Sequence, residues 1–171
     1  MTMRALFAAA FSLAASSYAF SGPLPGGAES LVETYQDWVI ACEAPEGDTI
    51  CLMRQVQSST QTGQHVLTAE FRAGADGGIE GALLLPFGLA LAQGISLAID
   101  EQPGPRLAFS TCLPNGCIAP VRFEASTIAD LEAGNVLRAA AVAANSAQPV
   151  AFDISLRGFT AALGRMTELI S

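Results

Sequence analysis

Four cysteines fall in two close pairs: Cys42 and Cys51 enclose EAPEGDTI, and Cys112 and Cys117 enclose LPNG. No other feature constrains the fold of this chain as much. Four cysteines can pair in three ways, and proximity selects Cys42–Cys51 and Cys112–Cys117. Within LPNG, Pro114 presets φ for the second position of a type I turn, Asn115 suits the third and Gly116 the fourth. A turn of that kind brings its flanks within disulfide reach. Each bridge therefore staples a hairpin. Zinc would want ligand pairs spaced as C-x2-C or C-x2-H, and the only histidine, His65, stands apart from both pairs. A redox dithiol would want C-x-x-C at a helix start, a spacing the chain does not contain.

Disulfides point to an oxidising compartment, and the N-terminus supplies a route to one. Arg4 precedes an apolar run from Ala5 to Ala15, and Ser17-Tyr18-Ala19 fits the small-x-small rule for signal peptidase. Residues 1–19 read as a signal peptide cleaved after Ala19. The run is too short to span a bilayer, which takes ~20 residues. The product belongs in the periplasm or outside the cell. It would be one domain of roughly 150 residues, enough for a real core.

Sixteen acidic and eight basic residues give a net charge of −8, and every basic residue is an arginine. The arginines are scattered singly, so no basic stripe exists for nucleic acid, and the negative field repels polyanions. The most apolar stretch, GALLLPFGLALAQGISLA (Gly81 to Ala98), is broken by Pro86, Gly88, Gln93 and Gly94. A lipid-embedded helix would leave freed backbone groups unpaired there. Two buried strands joined at Pro86-Phe87-Gly88 fit better, and no transmembrane span is expected in the mature chain.

Residues 20–34 form a Gly/Pro/Ser-rich leader without periodicity, expected to be a mobile arm, so the domain is placed at 35–171. From Tyr35 the pattern alternates: YQDWVIAC puts Trp38, Ile40 and Cys42 on one face. ICLMRQVQ, HVLTAEFR, IEGALLL, GISLAID, RLAFSTC and CIAPVRF continue the series. Pro120 in the last suggests an edge strand or a bulge. Ser126–Gly134 carries a Thr127-x-x-Asp130 capping box and a terminal glycine, marking a short helix. GFTAALGRMTEL places Phe159, Ala162 or Leu163, Met166 and Leu169 on one stripe of an amphipathic helix. NVLRAAAVAANS pairs with PVAFDISL as a hairpin through Asn145-Ser146. The total is eight or nine short strands in a mainly β, antiparallel sandwich with a short helix and a C-terminal helix lying on the sheet.

In order, W-x3-C, C-x-M-x-Q (Cys51, Met53, Gln55), L-P-x-G-L (Leu85 to Leu89), GISLAID, the Cys112/Gly116-Cys117 pair and SLRGF (Ser155 to Phe159) resemble the invasion-associated locus B family. The likeness runs from about Tyr35 to Leu169. It implies an exported bacterial domain with an immunoglobulin-like β-sandwich and an association with entry into host cells. The shared pattern concerns the fold: Trp38, the four cysteines, Pro86, Gly88, Gly116 and Gly158-Phe159. It carries over no catalytic or ligand-binding residue.

Catalysis needs converging groups. His65 opens a strand candidate, no G-x-S-x-G or H-E-x-x-H is present, and GADGG lacks the lysine and helix of a phosphate loop. Asp100-Glu101, beside Gln102-Pro103-Gly104-Pro105, reads as a solvated turn rather than a glycosidase pair. Calcium at Asp76 or at Glu43, Glu46 and Asp48 has too few oxygens. Neither metal nor cofactor is expected. The reading is a non-catalytic protein working through contact with an envelope or host protein. Its rivals are a small-ligand or ion-binding protein with a pocket between the sheets, and an enzyme centred on His65.

Overall fold

The computed structural model describes residues 23–171, apart from Ala75. The signal peptide, the cut after Ala19 and the first residues of the leader lie outside the described residues.

In chain order the strands are β1 (Ser30–Tyr35), β2 (Trp38–Glu43), β3 (Ile50–Ser58), β4 (His65–Ala73), β5 (Ile79–Leu85) and β6 (Ile95–Ile99). They continue with β7 (Gln102–Leu107), β8 (Thr111–Leu113), β9 (Gly116–Phe123), β10 (Val136–Val142) and β11 (Pro149–Ser155). Helix α1 (Ala125–Ala133) follows β9, and α2 (Phe159–Leu169) closes the chain. A seven-stranded antiparallel sheet has the order β1-β2-β3-β4-β5-β9-β8, and a four-stranded one the order β11-β10-β6-β7. The mainly antiparallel, two-sheet expectation holds.

Period-two alternation decides which face is buried. Trp38, Ile40 and Cys42 of β2 face Cys51, Met53 and Gln55 of β3 in one inward layer, continued by Leu67, Ala69 and Phe71 of β4. Ile95 and Leu97, Leu137 and Ala139, and Phe152 and Ile154 answer from the smaller sheet, all in one core. Four strands cannot cover seven. Helix α2 therefore completes the second layer over β1–β3, burying Phe159, Ala162, Leu163 and Met166. A chain of aromatic contacts ties helix to sheet: Phe159 to Trp38 at 5.5 Å, Trp38 to Phe71 at 5.6 Å, and Phe71 to Phe123 at 5.9 Å. Such pairs add ~0.5–1.5 kcal/mol each beyond the area they bury.

One buried polar side chain joins the two sheets. Gln55 donates from Nε2 to the Ser155 carbonyl (2.9 Å) and accepts from the Ser155 amide at Oε1 (3.0 Å). Trp38 Nε1 donates to the same carbonyl at 2.9 Å. Gln57 extends the contact, donating to the Asp153 carbonyl at 2.7 Å. Two side chains of β3 thus hydrogen-bond the open edge of β11 as a neighbouring strand would. Just beyond, Gly158 (φ +84°) passes so close to β1 that a Cβ would lie 2.0 Å from the Tyr35 carbonyl oxygen. Only glycine lets the chain turn there and deliver Phe159 beneath Trp38.

Both cysteine pairs are bonded, Cys42 to Cys51 and Cys112 to Cys117, each between directly opposed residues of a hairpin. The first bridge is buried, whereas Cys112 of the second is exposed at the hairpin tip. Pro114-Asn115 forms the two-residue connection, and Gly116 (φ +147°) leaves room for the Leu85 carbonyl, 2.4 Å from where a Cβ would sit.

Several expectations are corrected. The leader is not a free arm throughout: Leu24 is buried and Ser30–Tyr35 is strand β1, hydrogen-bonded along β2. Its inward positions, Leu31, Glu33 and Tyr35, include a charge, which hid the alternation. There are eleven strands among the described residues rather than eight or nine. Gln102–Pro105 belongs to edge strand β7 and is not a plain turn, because an edge strand tolerates missing amides. The capping box does not form; Glu124 is the N-cap, without a side-chain cap, and Thr127 lies inside α1. The join at Pro86–Gly88 crosses between sheets, with Leu89 bridging Ala143 and Leu91–Gln93 forming a 3-10 turn before β6. Pro120 sits where β9 has run past β8 and has become an edge, as its missing amide requires.

Gln55→Leu leaves the Ser155 amide without its partner inside the protein. Urea unfolding should show a loss of about 2–4 kcal/mol, the cost of stranding one or two buried polar groups. Reduction of both bridges should lower stability, with loop-closure contributions of about 2 and a little under 3 kcal/mol, while far-UV circular dichroism stays native-like. Equal melting temperatures with and without reductant would contradict this.

Candidate functional site

His65 opens β4 half-buried, its Nε2 2.8 Å from Thr68 Oγ1. Asp76 pairs with Arg122 at 3.0 Å. Asp100 is not free in a solvated turn: its carboxylate accepts the amides of Asn135 (3.1 Å) and Val136 (3.0 Å), pinning the start of β10 to the end of β6. Asp100 itself holds φ +51°, a left-handed value that these bonds maintain. Among the described residues, no three His, Cys, Asp or Glu side chains are placed to share a metal ion.

Charges on the outer face of the large sheet are satisfied in a ladder. Arg72 meets Glu80 at 2.7 Å, and Arg122 spans Asp76, Glu80 and Glu124. Exposed pairs of this kind contribute little, ~0–1 kcal/mol. Val32, Ile50 and Val56 also point outward there, each more than half exposed, but Glu43 and Arg54 interrupt them. A different arrangement binds α2 to β1. Arg165 Nε donates to Glu33 Oε2 at 3.0 Å and its terminal nitrogen to Oε1 at 3.2 Å, while Tyr35 donates its hydroxyl to Oε2 at 2.7 Å. The Arg165 hydrogen bonds foremost, then that of Tyr35, hold the Glu33 carboxyl below its ordinary value, while the bond to the Glu33 carboxylate, followed by burial, pushes the Tyr35 hydroxyl up.

A cleft of about 930 Å³ lies between the β6–β7 hairpin and α1. Leu97, Ile99, Phe123 and Leu137 supply apolar lining, and Glu101 and Asp130 stand at its rim. Gly134 closes one wall, since a Cβ there would lie 2.6 Å from Ile99 Cγ2. Glu101 was legible as an exposed carboxylate. Asp130, read as a helix cap, faces the cleft instead.

The residues of the sequence pattern have distinct places. Trp38 and Phe159 meet in the core, with Gly158 between them and β1. Pro86 ends β5, and the Gly88 carbonyl accepts the Ala144 amide, which ties the sheet crossing to the β10–β11 hairpin. Gln55 completes the constellation, and the exposed Cys112 bridge lies in a separate hairpin.

The family model described as Invasion associated locus B (IalB) protein matches residues 38–167, so the match opens on Trp38. The chain belongs to this family. An Invasion protein B homolog of Brucella abortus (strain 2308) is 54% identical over 159 residues, covering 93% of this chain and 92% of the relative. Invasion protein B of Bartonella bacilliformis is 32% identical over 149 residues, covering 85% and 80%. The crystal structure of invasion associated protein b from Bartonella henselae superposes with a TM-score of 0.75 at 34% identity, covering 82% of this chain and 97% of that one. The sequence resemblance to the invasion-associated locus B family is thereby confirmed, and with it the β-rich fold and the invasion-associated naming of the group. Two disulfides suit an exported member of it, and among the described residues no helix is long and apolar enough to cross a membrane.

Glu33 titrates lower in the folded protein than its ordinary 4.5. A depressed carboxylate stabilises the fold above that range, and its contribution is lost as pH falls through the folded value. Glu33→Gln should therefore melt below wild type at neutral pH, and the two melting temperatures should converge as the pH falls below the ordinary 4.5 and through the lower folded value. A gap that stays constant with pH would rule this linkage out.

Proposed function

We propose that this protein is exported by its N-terminal signal, cleaved after Ala19, and acts in the periplasm or outside the cell by protein–protein contact, without catalysis. The observation that carries the reading is the pair of cross-strand bridges, Cys42–Cys51 and Cys112–Cys117, in a chain whose relatives are named invasion proteins. Bridges between opposed strands form outside the cytoplasm and fix a surface of known shape. The pattern residues support it as well: Trp38, Gln55, Gly158 and Phe159 are engaged in packing and sheet joining. The partner is an envelope or host protein, and entry into host cells is the process the family name suggests.

A second reading, a small-ligand or ion-binding protein, is favoured by the cleft beside α1. The experiment that decides between them uses the bacterium itself. A photo-reactive amino acid is placed in turn at Val32, Thr68, Glu101 and Asp130 of the chromosomal protein, and adducts are resolved after irradiation. Adducts to one protein from a contiguous set of positions, together with an N-terminus at Phe20 and no free thiol in the exported form, are the expected result. Irradiation that yields no protein adduct from any position, or reduced cysteines in freshly isolated envelope, would sink the contact reading.

A further inference from the structure

Charged residues make up 14% of the sequence, yet four long stretches, 55–69, 81–99, 107–121 and 139–152, contain no Asp, Glu, Lys or Arg. The topology brings all four to one end of the sandwich. There β3 hands over to β4 through 59–64, β5 leaves the sheet at Leu85 opposite Cys117, and β6 starts opposite the end of β7. The β10–β11 turn joins them: Leu89 bridges Ala143, and the Gly88 carbonyl accepts the Ala144 amide at 2.8 Å. Charges collect at the opposite end, where Asp48, Asp76, Glu80, Asp100 and Glu124 lie in or beside the connections. The uncharged end is also where large apolar side chains face water. Phe87 is 59% exposed, Leu91 42% and Leu113 46%. Phe87 and Leu91 share one connection, and Leu113 pairs with Gly116, whose neighbour Cys117 pairs with Leu85. The three therefore sit at one tip.

We propose that this tip docks on the surface of a phospholipid bilayer, with Phe87, Leu91 and Leu113 entering the headgroup–acyl boundary and the rest of the domain remaining in water. This adds a lipid contact to the protein-contact reading and does not depend on it. Charge decides for lipid over protein. Charged side chains become costly as they enter a bilayer, whereas protein interfaces are enriched in arginine, of which these stretches have none. Backbone polarity is met within the tip as well. The Ala90 amide donates to the Val142 carbonyl, that of Gly63 to Ser59 and that of Ala147 to Ala143, so fewer groups would lose water on entry. The Cys112–Cys117 bridge holds the Leu113 turn covalently. Arg106 stands exposed at the collar, opposite Ser96, its Nη2 donating to the Gln93 carbonyl at 2.8 Å. It has no carboxylate within 4.0 Å among the described residues, which leaves the guanidinium free to meet a lipid phosphate. The net charge of −8 sets the kind of membrane: anionic headgroups repel the protein, and a zwitterionic surface does not.

The test places a tryptophan at the tip of the mature protein, Phe87→Trp, and in a second variant at the acidic end, Asp48→Trp. Native Trp38 is buried and gives a constant background. On phosphatidylcholine vesicles the tip probe should shift to the blue and be quenched by lipids brominated near the headgroup, and Asp48→Trp should do neither. In vesicle flotation Phe87→Ser/Leu113→Ser should bind at least about tenfold more weakly than wild type, from the loss of two large apolar anchors. Arg106→Gln should bind a few-fold more weakly, and phosphatidylglycerol added to the vesicles should lower wild-type binding. These substitutions are at exposed positions, and unchanged far-UV circular dichroism checks the fold. The tryptophan probe decides even where the serine variant folds poorly. A tip probe that neither shifts nor is quenched, an equal response from Asp48→Trp, or a well-folded serine variant that floats like wild type would overturn the proposal. A dimer broken by the serine substitutions, with vesicles left unbound, would overturn it in favour of a second copy of the chain. Failure here leaves the protein-contact reading intact, since in-cell cross-linking tests that separately.

Discussion

The fold depends on how one residue's backbone is held. Ser155 ends β11, the outer strand of the small sheet, and its amide and carbonyl face the open edge. Gln55 answers both, and Trp38 adds a third bond to the carbonyl. Without these donors and acceptors, a polar strand end would be packed against an aromatic core at a cost of about 1–3 kcal/mol for each stranded group. With them, the small sheet is locked in register to β3, and the chain leaves Ser155 on course for Gly158, Phe159 and α2. The Ser155 hydroxyl extends the fixation, donating to Asp37 at 2.7 Å and accepting the Arg157 amide. Sheet pairing, helix placement and the aromatic cluster are thus consequences of the same contact.

Exposed strand edges invite uncontrolled pairing, and this sandwich treats its edges by different means. Side chains of Gln55 and Gln57 occupy β11. Prolines interrupt β7. Strand β8 is three residues long and covalently bridged to its neighbour. Strand β1 carries an inward charge, Glu33, that is neutral in effect only because Arg165 of α2 reaches it. A foreign strand adding to β1 meets a side already committed to the helix. What stays open to solvent is the faces and the cleft, which present side chains rather than backbone ladders.

Most of this architecture was legible in the alternation of apolar residues and in the cysteine spacing. Trp38, Ile40 and Cys42 announce one face of β2, and the Ala-rich β10 was placed as a strand by the hairpin signal Asn145-Ser146 despite the helix propensity of alanine. What escaped is physically consistent. Strand β1 was hidden by Glu33, an inward charge that makes sense only once Arg165, far along the chain, is beside it. Strand β7 was hidden by prolines that only an edge accepts. The roles of Gln55 and Asp130 were invisible for a like reason: a buried amide needs its distant backbone partner, and a rim carboxylate needs the opposite wall. Local pattern shows elements, whereas cross-layer polar contacts must be seen.

The two ends of the small sheet therefore carry different burdens. At β11, Gln55, Trp38 and Phe159 make the interior cohere, and changes there propagate through the core. At β6 and β7, on the opposite side, the Asp100 carboxylate fixes the start of β10 through the Asn135 and Val136 amides, beside the cleft that faces α1. The rim residues Glu101 and Asp130 have no part in that cohesion: both are exposed, and neither is in an ion pair among the described residues. Substitution at these exposed positions should have little effect on folding. The bridges and the Gln55–Ser155 clasp hold the shape at one end, while the exposed Glu101 and Asp130 at the other are free of that work.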